Sequence, residues 1–177
     1  MQETESYCTF LVRGSHCGVP VTQVREIVCD QTVTPVPLSH EAVRGLINLR
    51  GQILTVVDVG RWMRLPTRGQ TDGTPARFHL IVDLGREMVS LCVDAMGPVI
   101  LPTPEQLEPI PSSVDSRAAE MILAAARMPD ETVMLLRLDR LREMKGAIKR
   151  RSSFGRIGED QTTSMTADNE MNQRGAP

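Results

Sequence analysis

Aromatic side chains supply only 3% of the 177 residues: Tyr7, Phe10, Trp62, Phe78 and Phe154. A surface that stacks bases or sugars needs several aromatics together, so nucleic acid is not an expected partner. Lysine is absent from residues 1–144, where 14 arginines face 18 acids for a net of −4. With −2 over the whole chain there is no bulk electrostatic case for nucleic acid or an anionic membrane. No uninterrupted apolar run approaches the roughly 18 residues that a membrane helix requires, so no direct membrane insertion is expected. The N-terminus, Met-Gln-Glu-Thr-Glu-Ser, lacks the apolar stretch of a secretory signal, and a cytoplasmic location follows by default.

Several chemistries lack their residues as well. The four cysteines, at 8, 17, 29 and 92, form no Cys-x-x-Cys and read as reduced thiols. His16 and Cys17 are adjacent and point to opposite faces of a strand, so no metal site is expected. There is no Gly-x-Ser-x-Gly and no glycine-rich phosphate loop. Asp83 and Asp94 could be imagined as a carboxylate pair, but each stands near the end of an apolar strand. Neither a catalytic residue nor a cofactor is expected, and the chain reads as a binding module.

What is present is aliphatic and strand-like. Residues 7–13 alternate, with Cys8, Phe10 and Val12 on one face and Thr9 and Arg13 on the other. Gly14-Ser15 turns the chain and Cys17-Gly18-Val19 begins its return. Pro20 can open a helix, and Val21, Val24 and Val28 recur at helical spacing, which predicts an amphipathic helix over 20–28. Thr34-Pro35-Val36-Pro37 is extended. Ser39 can cap a helical turn through Arg44 that Gly45 closes. Two strand-like runs, 46–49 and 52–57, flank Arg50-Gly51, whose glycine supplies the positive φ of a tight hairpin. Asp58 can cap a short helix over 59–65.

The stretch from Pro66 to Pro75 reads as a loop at the midpoint of the fold. A second hairpin spans 78–84 and 88–95 around Gly85-Arg86. Thr103-Pro104-Glu105-Gln106 has capping-box spacing, and Thr132–Leu138 reads as a strand. Arg140–Ile148 reads as a terminal helix. The alanine-rich run 117–127 has strong helix propensity, and by local evidence alone it is a helix. Residues 145–177 carry six bases against four acids and few large apolar groups, which predicts a disordered tail. The basic run from Lys145 to Arg151 could touch phosphate or lipid, and its plainer reading is a solvated helix end or tail.

Three segments then become specific: Val24-Arg-Glu-Ile-Val28, Thr34-Pro-Val-Pro37, and Val43-Arg-Gly-Leu-Ile-Asn-Leu-Arg-Gly-Gln-Ile-Leu-Thr-Val-Val-Asp58. In this order and spacing they resemble the CheW family, the coupling proteins of bacterial chemotaxis arrays. The likeness continues through Leu80–Asp94, Leu101–Pro109 and Leu135–Leu141, covering about 7–142. It implies a mainly β fold: two side-by-side five-stranded SH3-like barrels with a few short helices. That gives one CheW-like domain over 7–144, with a linker near 66–76. It also implies a cytoplasmic adaptor without catalytic activity. Its partners would be the regulatory domain of a CheA-type histidine kinase and the cytoplasmic tip of methyl-accepting chemoreceptors, in membrane-associated arrays.

By the same resemblance Glu26 and Arg50 match a carboxylate and a guanidinium that pair across the receptor-facing surface. Val24 matches an exposed apolar contact, and Gly45 and Gly51 match backbone positions that a side chain would obstruct. The plainer readings are a surface ion pair worth about 0–1 kcal/mol, a core valine, and glycines demanded by their turns. Three residues depart from the family pattern. Cys17 stands where an aromatic is usual, Ala124 where glycine is common, and Arg137 where an acid or amide is frequent. All three fall on the kinase-facing barrel. If the fold is kept, Ile122–Met128 must be a strand despite its propensity. The alternatives are a scaffold of this fold in a non-flagellar sensory pathway and, more distantly, a nucleic-acid-binding small barrel.

Overall fold

The computed structural model describes residues 5–37, 39–66, 78–110 and 114–142. The strands are β1 (Tyr7–Val12), β2 (Ser15–Pro20), β3 (Val24–Cys29), β4 (Val43–Leu49), β5 (Gln52–Asp58), β6 (Phe78–Asp83), β7 (Met88–Val93), β8 (Ala95–Ile100), β9 (Leu107–Glu108), β10 (Ile122–Arg127) and β11 (Thr132–Leu136). Two one-turn helices, α1 (Val59–Trp62) and α2 (Ser116–Ala119), and two 3-10 turns complete the described elements.

The strands form two sheets, ordered β8-β1-β2-β11-β10-β9 and β3-β6-β7-β5-β4. This is the mainly β, two-sheet architecture expected. The first sheet gains a sixth strand, the two-residue β9, and neither sheet closes on itself through a backbone ladder among the described residues. Each curls instead around its own small core. One holds Tyr7, Ile100, Ala126, Val133 and Leu135; the other holds Ile47, Leu54, Val56, Ile81 and Cys92. A larger third core, including Phe10, Cys17, Val57, Trp62, Leu80 and Leu91, lies between the sheets and joins them.

The sheets repeat one pairing pattern. Along β8-β1-β2-β11-β10 and along β3-β6-β7-β5-β4, neighbours are antiparallel, antiparallel, parallel and antiparallel. The register slips at matching places, on β8 and β3 and again on β10 and β4. The order of the strands along the chain differs, so one half is a circular permutation of the other. Thr34 bridges Leu46 on β4, as Glu108 pairs with Ala125 on β10, and both open an x-Pro-x-Pro run, Thr34–Pro37 and Glu108–Pro111.

Local chemistry explains the parts legible in sequence. Arg50 and Gly51 both take positive φ, 52° and 86°, as a two-residue hairpin of matching twist requires. The Asp58 carboxylate accepts from the Arg61 N–H at 2.8 Å and starts α1, which ends at Trp62, short of the expected 65. Three helix expectations fail. Residues 24–29 are a strand paired with β6, and only Val21–Gln23 forms a 3-10 turn. Valine and isoleucine fill half of Val24–Cys29 and suit a pleated, half-buried surface, so an available partner strand overrides the helical spacing. No helix runs from Ser39 to Arg44, and Gly45 lies inside β4. The helix at 116–119 stops, and Ile122–Arg127 pairs with β11, the strand that the family resemblance implied in place of the local helix. Residues 139–142 make a helical turn. The expected loop and linker from residue 67, the rest of the terminal helix and the tail lie outside the described residues.

Candidate partner-docking face

The bulge at Arg25 governs what β3 presents. Val24 pairs with Val82, and Glu26 pairs with Ile81, so one extra residue separates the two pairs. In an unbroken strand, residues two apart share a face; the extra residue sends Val24 and Glu26 to opposite faces. Val24 is half-buried against the core between the sheets. Glu26 turns instead toward the gap between β3 and β4, the two ends of their sheet.

Arg50, at the tip of the β4–β5 hairpin, reaches across that gap. Its Nη2 lies 2.9 Å from Glu26 Oε2 and its Nη1 3.3 Å from Oε1, a two-pronged fork that ties β3 to the hairpin. The Arg50 side chain is 78% exposed, so water screens the pair and its contribution to stability is about 0–1 kcal/mol. Asn48 Oδ1 accepts from the Gly51 N–H at 2.9 Å and fixes the turn that carries Arg50.

The glycines differ in kind. Gly45 has φ +149°, and a Cβ there would run into the Thr34 carbonyl, breaking the bridge in which Thr34 and Leu46 exchange two 2.8 Å hydrogen bonds. Gly51 has open space around it; its φ of +86° is the only constraint. The structure therefore brings Glu26, Arg50 and Gly51 to one exposed edge, and sets Gly45 and Val24 beneath it.

Apolar residues that sequence reasoning passed over complete this face. Ile27 on β3 is 44% exposed and Ile53 beside the hairpin 62%. On β8, the strand matching β3 in the other sheet, Val99 is 62% exposed and Leu101 just beyond it 56%. Ile27 and Val99 hold corresponding register positions after their bulges. Nothing local marks them, because the bulges that expose them come from pairing.

The titratable groups elsewhere are structural in their surroundings. His79 Nδ1 lies 2.9 Å from Ser90 Oγ inside the second sheet, and burial pulls its pKa down. Burial pushes the Cys17 thiol up to about 12, so it behaves as a small apolar group in the core. Arg25 and the turn N–H of Gly85 hold Asp83 below its ordinary value, while Asp94 accepts from the Arg13 N–H at 2.6 Å, so the two carboxylates are separately employed. Among the described residues no three His, Cys, Asp or Glu side chains group as metal ligands would, and no helix is long and apolar enough to cross a membrane.

Two permuted, open sheets sharing a core, with a charged fork and exposed aliphatics at their edges, define a paired-sheet β protein without closed barrels among the described residues. The family model of the CheW-like domain matches residues 6–145. The chemotaxis protein CheW of Klebsiella aerogenes is 21% identical over 137 residues, covering 77% of this chain and 81% of that protein. The chemotaxis protein CheW of Bacillus subtilis is 32% identical over 111 residues, 62% of this chain and 69% of that one. The crystal structure of the scaffolding protein TtCheW from Thermoanaerobacter tengcongensis superposes with a TM-score of 0.66 at 26% identity, covering 78% of this chain and 92% of that one. The chain belongs to the CheW family.

Proposed function

We propose that this protein is a non-catalytic adaptor in chemotaxis signalling, joining a chemoreceptor's cytoplasmic tip to the regulatory domain of a CheA-type histidine kinase. It would act in the cytoplasm, recruited to membrane-associated receptor arrays. The observation that carries this reading is the Glu26–Arg50 fork, held across the gap between β3 and β4 beside exposed Ile27 and Ile53. A fork this exposed adds little to folding, and its rigid geometry suits recognition better than stability. Exposed aliphatics around it offer the apolar contact area that a docking helix needs. Kinship with chemotaxis proteins named CheW and with a scaffolding protein supports the same role.

The test is a titration of the protein against a soluble receptor tip fragment and, separately, against the kinase regulatory domain. Arg50→Ala should weaken receptor binding about tenfold or more, leave kinase binding within about twofold, and change unfolding free energy by less than about 1 kcal/mol. Unchanged receptor binding in the folded variant removes the fork from the docking site. Loss of both interactions in the folded variant assigns the fork to a surface that both partners share, and binding of neither partner by the unaltered protein leaves the family fold with a different task.

A further inference from the structure

We propose that Asn48 is a positioning residue for receptor docking, holding the Arg50-Gly51 turn in the conformation that presents Arg50 to the partner. This rests on the adaptor reading above and adds to its docking site a residue outside the set that family likeness implies.

Arg50 takes φ +52°, in the left-handed region where a side chain is crowded and glycine is the usual occupant. Such a conformation persists where its surroundings enforce it. Leu49 pairs with Gln52 and closes the β4–β5 hairpin, so Arg50 and Gly51 stand beyond the last cross-strand pair. Past that pair the tip is held by the fork onto Glu26 and by Asn48 Oδ1, which accepts from the Gly51 N–H at 2.9 Å. The two contacts constrain different things. The fork ends a long side chain that is 78% exposed, and it can follow Glu26 over a range of backbone angles. The Gly51 N–H belongs to the rigid peptide plane between Arg50 and Gly51, so the Asn48 bond sets the backbone of Arg50 directly.

A second turn of the same make shows the alternative. Arg13-Gly14 also stands between paired residues, Val12 and Ser15, with φ of 51° and 76°. That turn is anchored from outside its hairpin. Asp94 Oδ2 accepts from the Arg13 N–H at 2.6 Å, and Arg13 Nη1 donates to the Leu65 carbonyl at 2.8 Å. The Arg13 side chain is accordingly only 19% exposed. An arginine offered to a partner needs its turn fixed from within the hairpin, because an outside anchor would cover the surface to be reached. Asn48 supplies that local fixation.

The consequence for binding follows from geometry. β3 and β4 are the two ends of their sheet, and no ladder hydrogen bond joins them among the described residues. Glu26 is set by its bulge on β3, so an Arg50 that leaves the left-handed region re-aims its side chain while Glu26 stays where it is. Only the fraction of molecules with the turn in place then binds at full strength. If losing the Asn48 bond lowers that fraction to about a third to a fifth, apparent affinity falls about three- to fivefold. Asn48 is itself exposed, so its replacement opens no cavity and the fold has little to lose.

The test titrates the full-length protein against a soluble receptor tip fragment and, separately, against the kinase regulatory domain. Asn48→Ala should weaken receptor binding about three- to fivefold, leave kinase binding within about twofold, and leave the far-ultraviolet circular dichroism spectrum unchanged. Asn48→Asp keeps an acceptor for the Gly51 N–H and should bind the receptor within about twofold of the unaltered protein. In an Arg50→Ala background, Asn48→Ala should weaken receptor binding no further, since its effect passes through Arg50. Exchange of the Gly51 amide proton, followed by nuclear magnetic resonance, needs no partner. It should quicken about threefold in Asn48→Ala and stay unchanged in Asn48→Asp.

Receptor binding that ignores Asn48→Ala overturns the proposal. A further loss in the Arg50→Ala background does so too, because Asn48 would then touch the partner itself. Equal weakening of receptor and kinase binding would reduce Asn48 to a structural role, and an aspartate that protects Gly51 without restoring binding would discount the turn. If the unaltered protein binds no receptor fragment, the adaptor reading fails first and takes this one with it, a result distinct from binding that is present and indifferent to Asn48.

Discussion

Gly45 and Gly51 lie six positions apart in one hairpin and are glycine for unrelated reasons. At Gly45 both the backbone angle and the Thr34 carbonyl forbid a side chain, so Gly45→Ala should cost about 2–4 kcal/mol in urea denaturation. At Gly51 only φ is unusual, and Gly51→Ala should cost about 1–2 kcal/mol. Equal costs would mean that the Thr34 bridge contributes nothing. The two glycines were equally visible in the sequence; what separates them is a segment about ten residues upstream that crosses over only one. His79 makes the same point for titration. Burial, with Arg44 adding to it, lowers its folded pKa below the ordinary 6.5. The folded protein then binds this proton less readily than the unfolded chain does. Stability is complete above about pH 6.5 and declines as pH falls from there toward the depressed folded value. His79→Asn keeps a hydrogen-bonding group for Ser90 without a titration, and should flatten the stability profile in that window. An unaltered slope would assign the acid sensitivity to another group.

Among the elements, β10 is the plainest contest between local preference and pairing. Its sequence, Ile-Leu-Ala-Ala-Ala-Arg, favours a helix residue by residue, yet it hydrogen-bonds to β11 on one side and β9 on the other. Alanine loses its advantage here because Ala125 and Ala126 are buried and paired on both sides, so burial and ladder hydrogen bonds outweigh local propensity. Ala124, placed where the family favours glycine, corresponds in register to Gly45 of the other half, and here the backbone accepts a methyl group. Strand β1 shows a subtler misreading. Thr9 looks solvent-facing by alternation but is buried, its hydroxyl donating to the Pro98 carbonyl at 2.6 Å.

The clearest prediction at this scale joins the β1–β2 turn to α1. Arg13 lies across Gly60, with Nη1 donating to the Leu65 carbonyl at 2.8 Å, and a Cβ on Gly60 would meet Arg13 Nε at 2.5 Å. Gly60→Ala should cost about 1–3 kcal/mol in the unaltered protein. In an Arg13→Ala background the same change should be neutral or stabilising by up to about 1 kcal/mol, since alanine is the better helix former. A double-mutant cycle by urea denaturation measures the difference, and additive costs would show that Arg13 does not occupy this position in solution.

At the scale of the molecule the two sheets are distinct in pairing but not in stability. The core between them draws Phe10 and Cys17 from one sheet, Leu80 and Leu91 from the other, and Trp62 from α1. The chain starts in one sheet, builds the other entirely, and returns to finish the first. Neither sheet can therefore be lost while the other keeps its apolar face covered. Unfolding should be a single transition, with the fluorescence of Trp62, the chain's sole tryptophan, coinciding with far-ultraviolet circular dichroism. Two separated transitions would mean that the shared core holds the sheets together only weakly.

The sequence by itself determined what short-range chemistry controls. It set the hairpins around Arg50-Gly51 and Gly85, the Asp58 cap, the aliphatic core and the pairing of Glu26 with Arg50 implied by family likeness. Each of these depends on residues close in the chain or on a motif long enough to be distinctive. Only the tertiary structure decided that 24–29 is a strand, that bulges part Val24 from Glu26, and that Ile27 and Val99 stand exposed at matching edges; at 122–127 it chose the strand that family likeness implied over the helix that local propensity favoured. Those outcomes depend on hydrogen bonds to strands tens of residues away, and such pairing energy outweighs the propensity of any single window.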